Sequence, residues 1–253
     1  MRKITFKIAT LCCIFLFAAC EQTSFTINGK LVSRINLVYE GGRDNATYEY
    51  DNKNRITKLK YLDEYIIAFP LSWNYGYPNN KKIIIELDNY KDTINLNKDG
   101  TIKGTDVSGF TYENGYLKTG TRQDIINNYY YNSNYNWENG KLNEIIENQT
   151  RDNNFYIYTF TYEYGNINNK PCSIDLFWLV VSESYGHNAG RHGKVPDKLI
   201  SSYTVVSTKN GNHVKTTNYA FTYETDTEGY ITKIYRSIDG KPSELWFEIE
   251  YQN

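Results

Sequence analysis

Within residues 31–253, five places set Asn or Asp directly before glycine: Asp99-Gly100, Asn114-Gly115, Asn139-Gly140, Asn210-Gly211 and Asp239-Gly240. A two-residue type I′ hairpin turn needs positive φ at both central positions, and these dipeptides supply it at the least steric cost. Several sit inside a loose repeat. Phe110-Thr111-Tyr112-Glu113-Asn114-Gly115-Tyr116-Leu117-Lys118 has the form aromatic-x-aromatic-acid, a short turn, then an aliphatic residue and a lysine. Residues 47–59, 135–142, 160–167 and 221–234 repeat that form with variations. Both halves alternate with period two, which is strand spacing. With Asn139-Gly140 as the turn, Glu138 faces Lys141 and Trp137 faces Leu142. With Asn114-Gly115, Tyr112 faces Leu117 while Thr111 pairs with Lys118. One face of each hairpin is aromatic and aliphatic and the other is wet, the pattern of an antiparallel meander with a single buried face.

Residues 82–87, 92–96, 156–162, 176–181, 200–206 and 245–251 read as further strands, and no stretch has a helical period. The expected architecture is a single all-β domain over residues 31–253. It is an antiparallel meander of about 12–14 short strands forming a strongly curved or barrel-like sheet, since so many strands do not stay flat and open. Composition points the same way. The chain holds 25 Tyr and 30 Asn, while Ala and Met together supply only 8 residues, which argues against a helical bundle or a doubly wound enzyme. A transmembrane barrel needs strands of about nine to eleven residues with an outward apolar band; these strands read as shorter and put Thr, Lys and Glu outward. A net charge of −1 gives no basic surface for a nucleic-acid partner.

The first nineteen residues read as a leader outside the fold. Arg2, Lys3 and Lys7 form a basic start, and residues 8–17 an apolar run about half the length that spans a bilayer as a helix. Phe17-Ala18-Ala19-Cys20 then resembles a bacterial lipobox, with Phe17 where Leu is usual. That resemblance implies a lipoprotein signal peptide over residues 1–19, lipid attachment at Cys20, and a flexible linker over residues 20–30. It places the protein in the cell envelope, anchored to a bacterial membrane and more readily the outer one. With Cys12 and Cys13 in the leader and Cys20 lipidated, Cys172 remains alone, so the fold must stand without an internal disulfide.

Tyr50-Asp51-x-x-x-Arg55-Ile56-Thr57 resembles the tyrosine–aspartate repeats of Rhs-type proteins. Over residues 31–253, the succession of hairpins, the irregular block at residues 174–201 and the closing Glu228-Gly229-Tyr230-Ile231-Thr232-Lys233 resemble a cell-envelope lipoprotein family. That family is known only as a domain of unknown function with a porin-like fold. The resemblance implies a strongly curved or barrel-like sheet and no particular activity. Asn54 stands where the family's first repeat has glycine, and Asn tolerates positive φ.

No nucleophile elbow, phosphate loop, zinc signature or dinucleotide fingerprint occurs, and the expectation is a non-enzyme without cofactor or metal. Glu224-Thr225-Asp226-Thr227-Glu228-Gly229 is similar to the start of a calcium loop. The twelfth position, which should be a bidentate Glu, is Tyr235, so the segment reads as a hairpin tip. His187 and His192 fall in a glycine-rich stretch read as a surface loop crossing the mouth of the sheet. The candidate ligand-binding residues are Trp73, Tyr75 and Tyr77, which alternate with small or polar residues in a segment read as a loop. If extended, they point to one side as a platform for a sugar ring or an extended peptide, with neighbouring Asn amides to read hydroxyls. The leading expectation is an anchored envelope protein holding a glycan or peptide. The alternatives are a structural envelope component without a small ligand, and a hydrolase of the periplasm or cell surface.

Overall fold

A computed structural model describes residues 29–252 apart from 41, 64–70, 89, 125–128, 152 and 183–190. Sixteen strands follow one another: β1 (Val32–Tyr39), β2 (Gly42–Tyr50), β3 (Ile56–Asp63), β4 (Leu71–Asn79), β5 (Lys82–Leu87), β6 (Tyr90–Leu96), β7 (Ile102–Gly104), β8 (Ser108–Glu113), β9 (Tyr116–Asp124), β10 (Tyr129–Glu138), β11 (Lys141–Arg151), β12 (Asn154–Asn168), β13 (Lys198–Lys209), β14 (Asn212–Thr225), β15 (Ile231–Ile238) and β16 (Glu244–Tyr251). Each pairs antiparallel with its chain neighbours, and β1 pairs with β16 to close a barrel. The all-β meander expected from the hairpin pattern is therefore present, with sixteen strands and full closure. Among the described residues the strand pairings run around the full circle of the barrel.

Asn114, Asn139, Asn210 and Asp239 have φ of 50–53°, and the glycines after them 73–85°, as type I′ turns require. At Asp99-Gly100 only the glycine has positive φ, because that dipeptide sits in a longer turn over residues 97–101. Asn54 takes φ 59° in the glycine place of the first repeat. Glu138 faces Lys141, Trp137 faces Leu142 and Tyr112 faces Leu117, as the spacing predicts. Thr111 faces Thr119 and not Lys118, because a register shift falls between Thr111 and Tyr112; Lys118 instead meets Glu113 at 3.2 Å. Equivalent shifts occur at Glu49/Tyr50, Asn136/Trp137 and Glu224/Thr225. Bulges bend and twist a strand, and a sheet must bend to close.

Aromatic residues near the strand ends, four of them the second aromatic of a repeat, explain themselves in the interior. The Tyr50 hydroxyl donates to the Val32 carbonyl at 2.8 Å, Tyr77 to Ile56 at 2.8 Å and Tyr112 to Ile102 at 2.8 Å. The Trp137 indole donates to Leu117 at 2.7 Å, and Tyr164, Tyr223 and Tyr251 to Leu142, Ile200 and Ile231. In each case the donor lies near the end of an even-numbered strand and the acceptor near the start of the strand before it. Seven of the eight even strands thus contribute to one ring of aromatic donors. Burial holds the Tyr50, Tyr112, Tyr164 and Tyr223 phenols well above the ordinary tyrosine value, so they stay protonated donors.

That ring marks one end of the barrel, where the chain between β12 and β13 folds back into the lumen as a plug. Residues 176–181, expected as a strand, form the helix α1 (Leu176–Ser182). Phe177 and Leu179 are fully buried, and the Phe177 ring lies 6.2 Å from Trp137. A helix surrounded by barrel wall is apolar on all sides and has no polar face to give a period. The plug is tied to the wall by Ile102 N–H to Arg191 O at 2.8 Å, Lys194 N–H to Gly115 O at 2.8 Å and Ser173 N–H to Lys30 O at 3.0 Å. Much of the buried core, Leu117, Leu142, Phe177 and Leu179 among it, fills this closed half of the lumen.

The outer wall is polar. Cross-strand ion pairs include Arg43–Glu248 at 3.2 Å, Lys60–Glu49 at 2.9 Å, Lys91–Glu86 at 2.7 Å and Lys233–Glu224 at 3.2 Å. Such exposed pairs each add little stability, about 0–1 kcal/mol, but their placement is informative. A bilayer-spanning barrel carries an apolar band there. Strands β10 to β14 run ten to fifteen residues, longer than expected, so strand length would permit a membrane span and it is the polar wall that speaks against one. A chain starting at Glu21 is expected to stay monodisperse in detergent-free buffer; a requirement for detergent, read by sedimentation, would overturn this reading of the wall.

Candidate functional site

The even strands end at the plugged end, so the first halves of β4, β6, β8 and β10 line the opposite half of the lumen. Two cavities occupy that half. One, of about 450 Å³, is lined by Ala46, Leu59, Tyr61, Trp73, Tyr75 and Ile85. The other, of about 640 Å³, is lined by Phe110, Arg122, Tyr131, Ser133, Tyr135, Glu147, Trp178 and His192 among others. Tyr90 and Asp92 of β6 border both, so the two form one aromatic cup with the plug as its floor.

The segment read as a loop is strand β4, and period two turns Trp73, Tyr75 and Tyr77 to the inside together. Trp73 and Tyr75 line the smaller cavity, where Trp73 meets Tyr61 edge-on at 6.4 Å. Burial pushes the Tyr75 phenol well above its ordinary value. Tyr77 lies deeper, in the donor ring, with the Arg55 guanidinium 4.2 Å over its ring and its phenol pushed up to about 12 by burial. Strand β4 therefore divides its three rings between cup and ring.

The larger cavity was not found from the sequence. Phe110 and Tyr135 are first aromatics of two repeats, standing two residues before Tyr112 and Trp137, and so point inward one step nearer the cup. Trp178 of the plug meets Tyr135 at 5.8 Å and His192 at 5.5 Å; His192 also lies 6.0 Å from Phe110. His192 is thus packed against the cup floor and is not on a surface loop, while His187 lies outside the described residues. Glu147 accepts from Gln149 Nε2 at 2.7 Å and from Ser133 Oγ at 3.3 Å. Burial, helped by the Glu147 charge, raises the Tyr135 phenol to about 12. Arg122 lies over Tyr131 at 6.0 Å. Among the described residues, no three His, Cys, Asp or Glu side chains group as metal ligands. Cys172 is buried in the plug, donating to Ile174 O at 3.0 Å, and burial pushes its thiol up to about 12. Cys20 lies outside the described residues.

No family model matches this sequence, and no curated protein does. Among solved structures it resembles a porin-like protein from Bacteroides vulgatus, at 13% identity and a TM-score of 0.65 over 88% of this chain and 99% of that one. A porin-like protein from Bacteroides uniformis gives 16% identity and a TM-score of 0.59 over 87% of this chain and 98% of that one. The barrel is porin-like. At such identities the likeness is one of fold, and it agrees with the porin-like architecture that the repeats imply. In this chain the plugged half of the lumen is packed with side chains, and the opposite half forms a cup with the plug across its floor.

Proposed function

We propose that this protein is a lipid-anchored component of the bacterial cell envelope that binds a glycan in its cup without turning it over. The observation that carries the reading is the lining of the cup. Flat rings (Trp73, Tyr75, Tyr61, Phe110, Tyr135, Trp178) alternate with hydrogen-bonding groups (Asp92, Arg122, Ser133, Glu147) around about 450 and 640 Å³ of space. Apolar walls with a few placed polar groups are the general design of a small-molecule site, and rings beside hydroxyl-reading groups suit a sugar better than a purely apolar ligand. The water-facing wall and the leader ending at Cys20 support a barrel tethered beside a membrane and not inserted in it. Changing Cys20→Ala is expected to move the protein from the membrane to the soluble fraction.

A glycan array tests the binding. Wild type is expected to retain a short oligosaccharide, and the Trp73→Ala, Tyr75→Ala double variant to lose roughly tenfold or more, at about 1 kcal/mol per ring beyond area burial, with an unchanged urea midpoint. No array ligand for wild type, together with a lowered midpoint in the variant, would make both rings structural and leave a ligand-free envelope component as the reading. A hydrolase is the second reading, because Asp92 and Glu147 place two carboxylates on one cavity, as glycoside cleavage needs. New reducing ends from an array-positive glycan, abolished by Glu147→Gln, would favour it.

A further inference from the structure

The two ends of the barrel differ in charge. Three successive turns at the plugged end, β2–β3, β4–β5 and β6–β7, carry Lys53, Lys81, Lys82 and Lys98, all exposed, and Lys194 of the plug lies on the next turn, β8–β9. Of the acids among them, Asp51 is ion-paired with Arg55 at 2.6 Å and Glu113 with Lys118 at 3.2 Å, which leaves Asp99, accepting from the Thr101 hydroxyl at 2.7 Å, as one charge set against the lysines. At the other end the described connections and the strand ends beside them hold Glu40, Asp88, Asp106 and Asp239 against Lys209, Lys215 and Lys241.

The described chain also begins at the plugged end. Lys30 pairs with Cys172 of the plug, and its ammonium sits 2.9 Å from both Asp226 and Glu228, 4.9 Å over the Tyr230 ring. This fastens the start of the fold one strand away from the basic arc. Gly29 is nine residues after Cys20, so the chain between them reaches at most about 30 Å.

We infer that the plugged end is a membrane-facing surface, whose lysine arc rests on the anionic headgroups of the leaflet holding Cys20 while the cup opens away from it. The inference rests on the anchor reading above for its orientation, but the arc's affinity for lipid is independent of the anchor. A basic cluster near an anionic leaflet is attracted by about fivefold per lysine, over roughly 8–10 Å at physiological salt. The tether starts at the plugged end and lets the arc reach the headgroups, whereas turning the mouth down onto them lifts the arc away.

The test uses the chain from Glu21 onward, which lacks the lipid, and sedimentation with vesicles. At low salt it is expected to partition onto phosphatidylcholine vesicles rich in phosphatidylglycerol and not onto phosphatidylcholine alone. Lys53→Glu, Lys81→Glu, Lys98→Glu together should reduce partitioning at least about a hundredfold, since each change removes an attraction and adds a repulsion. Lys209→Glu, Lys215→Glu, Lys241→Glu at the opposite end, with the same net charge, should leave it within about twofold. Equal losses in the two variants, equal partitioning on both vesicle types, or tighter capture by a soluble phosphate polymer than by the vesicles would each overturn the inference. Unchanged far-ultraviolet dichroism excludes misfolding. Glycan binding by the cup plays no part in the readout, so its failure would be seen separately on the array.

Discussion

Phe177→Ala is expected to destabilise the barrel by about 3–5 kcal/mol. The side chain is fully buried, with its ring 5.2 Å from Trp178 and 6.2 Å from Trp137. The cost of such a truncation depends on how far the surroundings collapse into the space left behind. Here the surroundings are a wall held at fixed circumference by strand pairing on every side, so collapse is restricted and the upper part of the range applies. A urea titration reads the loss as a lower midpoint at unchanged slope. The Cys172 thiol gives an independent reading. Burial keeps it protonated and shielded, and thiolate is the reactive form; a maleimide should label wild type only through opening of the plug and the variant markedly faster. An unchanged midpoint and labelling rate would show that the plug contributes nothing to the cooperative core.

Gly193→Val acts on the same plug from its other side, at an expected cost of about 3 kcal/mol. Gly193 has φ +88°, and a Cβ there would lie 2.5 Å from the Gly115 carbonyl oxygen and 3.2 Å from the Tyr112 ring. It bridges Tyr116 where the plug meets the β8–β9 turn. Neither the left-handed backbone nor the approach to a backbone oxygen can be relieved by a rotamer change. The expected signature is a lowered melting temperature with loosened packing around Tyr112, seen in near-ultraviolet dichroism. A variant as stable as wild type would mean that the plug shifts along the wall without cost.

Hairpins were legible because their determinants are local. Asn-Gly fixes a turn from two residues, and Trp137 opposite Leu142 follows by counting outward from it. Closure was not legible, since nothing in the period of β1 or β16 tells a strand which distant edge it completes. The short β7, three residues long, is below the length at which alternation can be seen. Residues 176–181 misled because an apolar run has no phase, and only the surrounding wall makes it a helix. In the cup, the alternation of Trp73 and Tyr75 was visible within one strand. Asp92, Arg122 and Glu147 come from three separate strands, and a charged residue at an inward position looks in sequence like any outward one until the register is known.

The meander has a consequence for how this chain acquires its shape. Fifteen of the sixteen strand pairings join neighbours in sequence, and the last joins β1 to β16, pairing Ile35 with Ile249. Hairpins form on microsecond timescales, so the wall can grow by successive local additions with little loop entropy lost at each step. The seam is different: its two halves are separated by nearly the whole fold, and pairings so distant in sequence slow folding most. Until it closes, both edge strands offer unpaired backbone to any other strand within reach. The interval before the first and last strands meet is therefore when this protein is most exposed to aggregation. A chaperone that shields sheet edges is expected to raise its yield more than one that binds apolar loops.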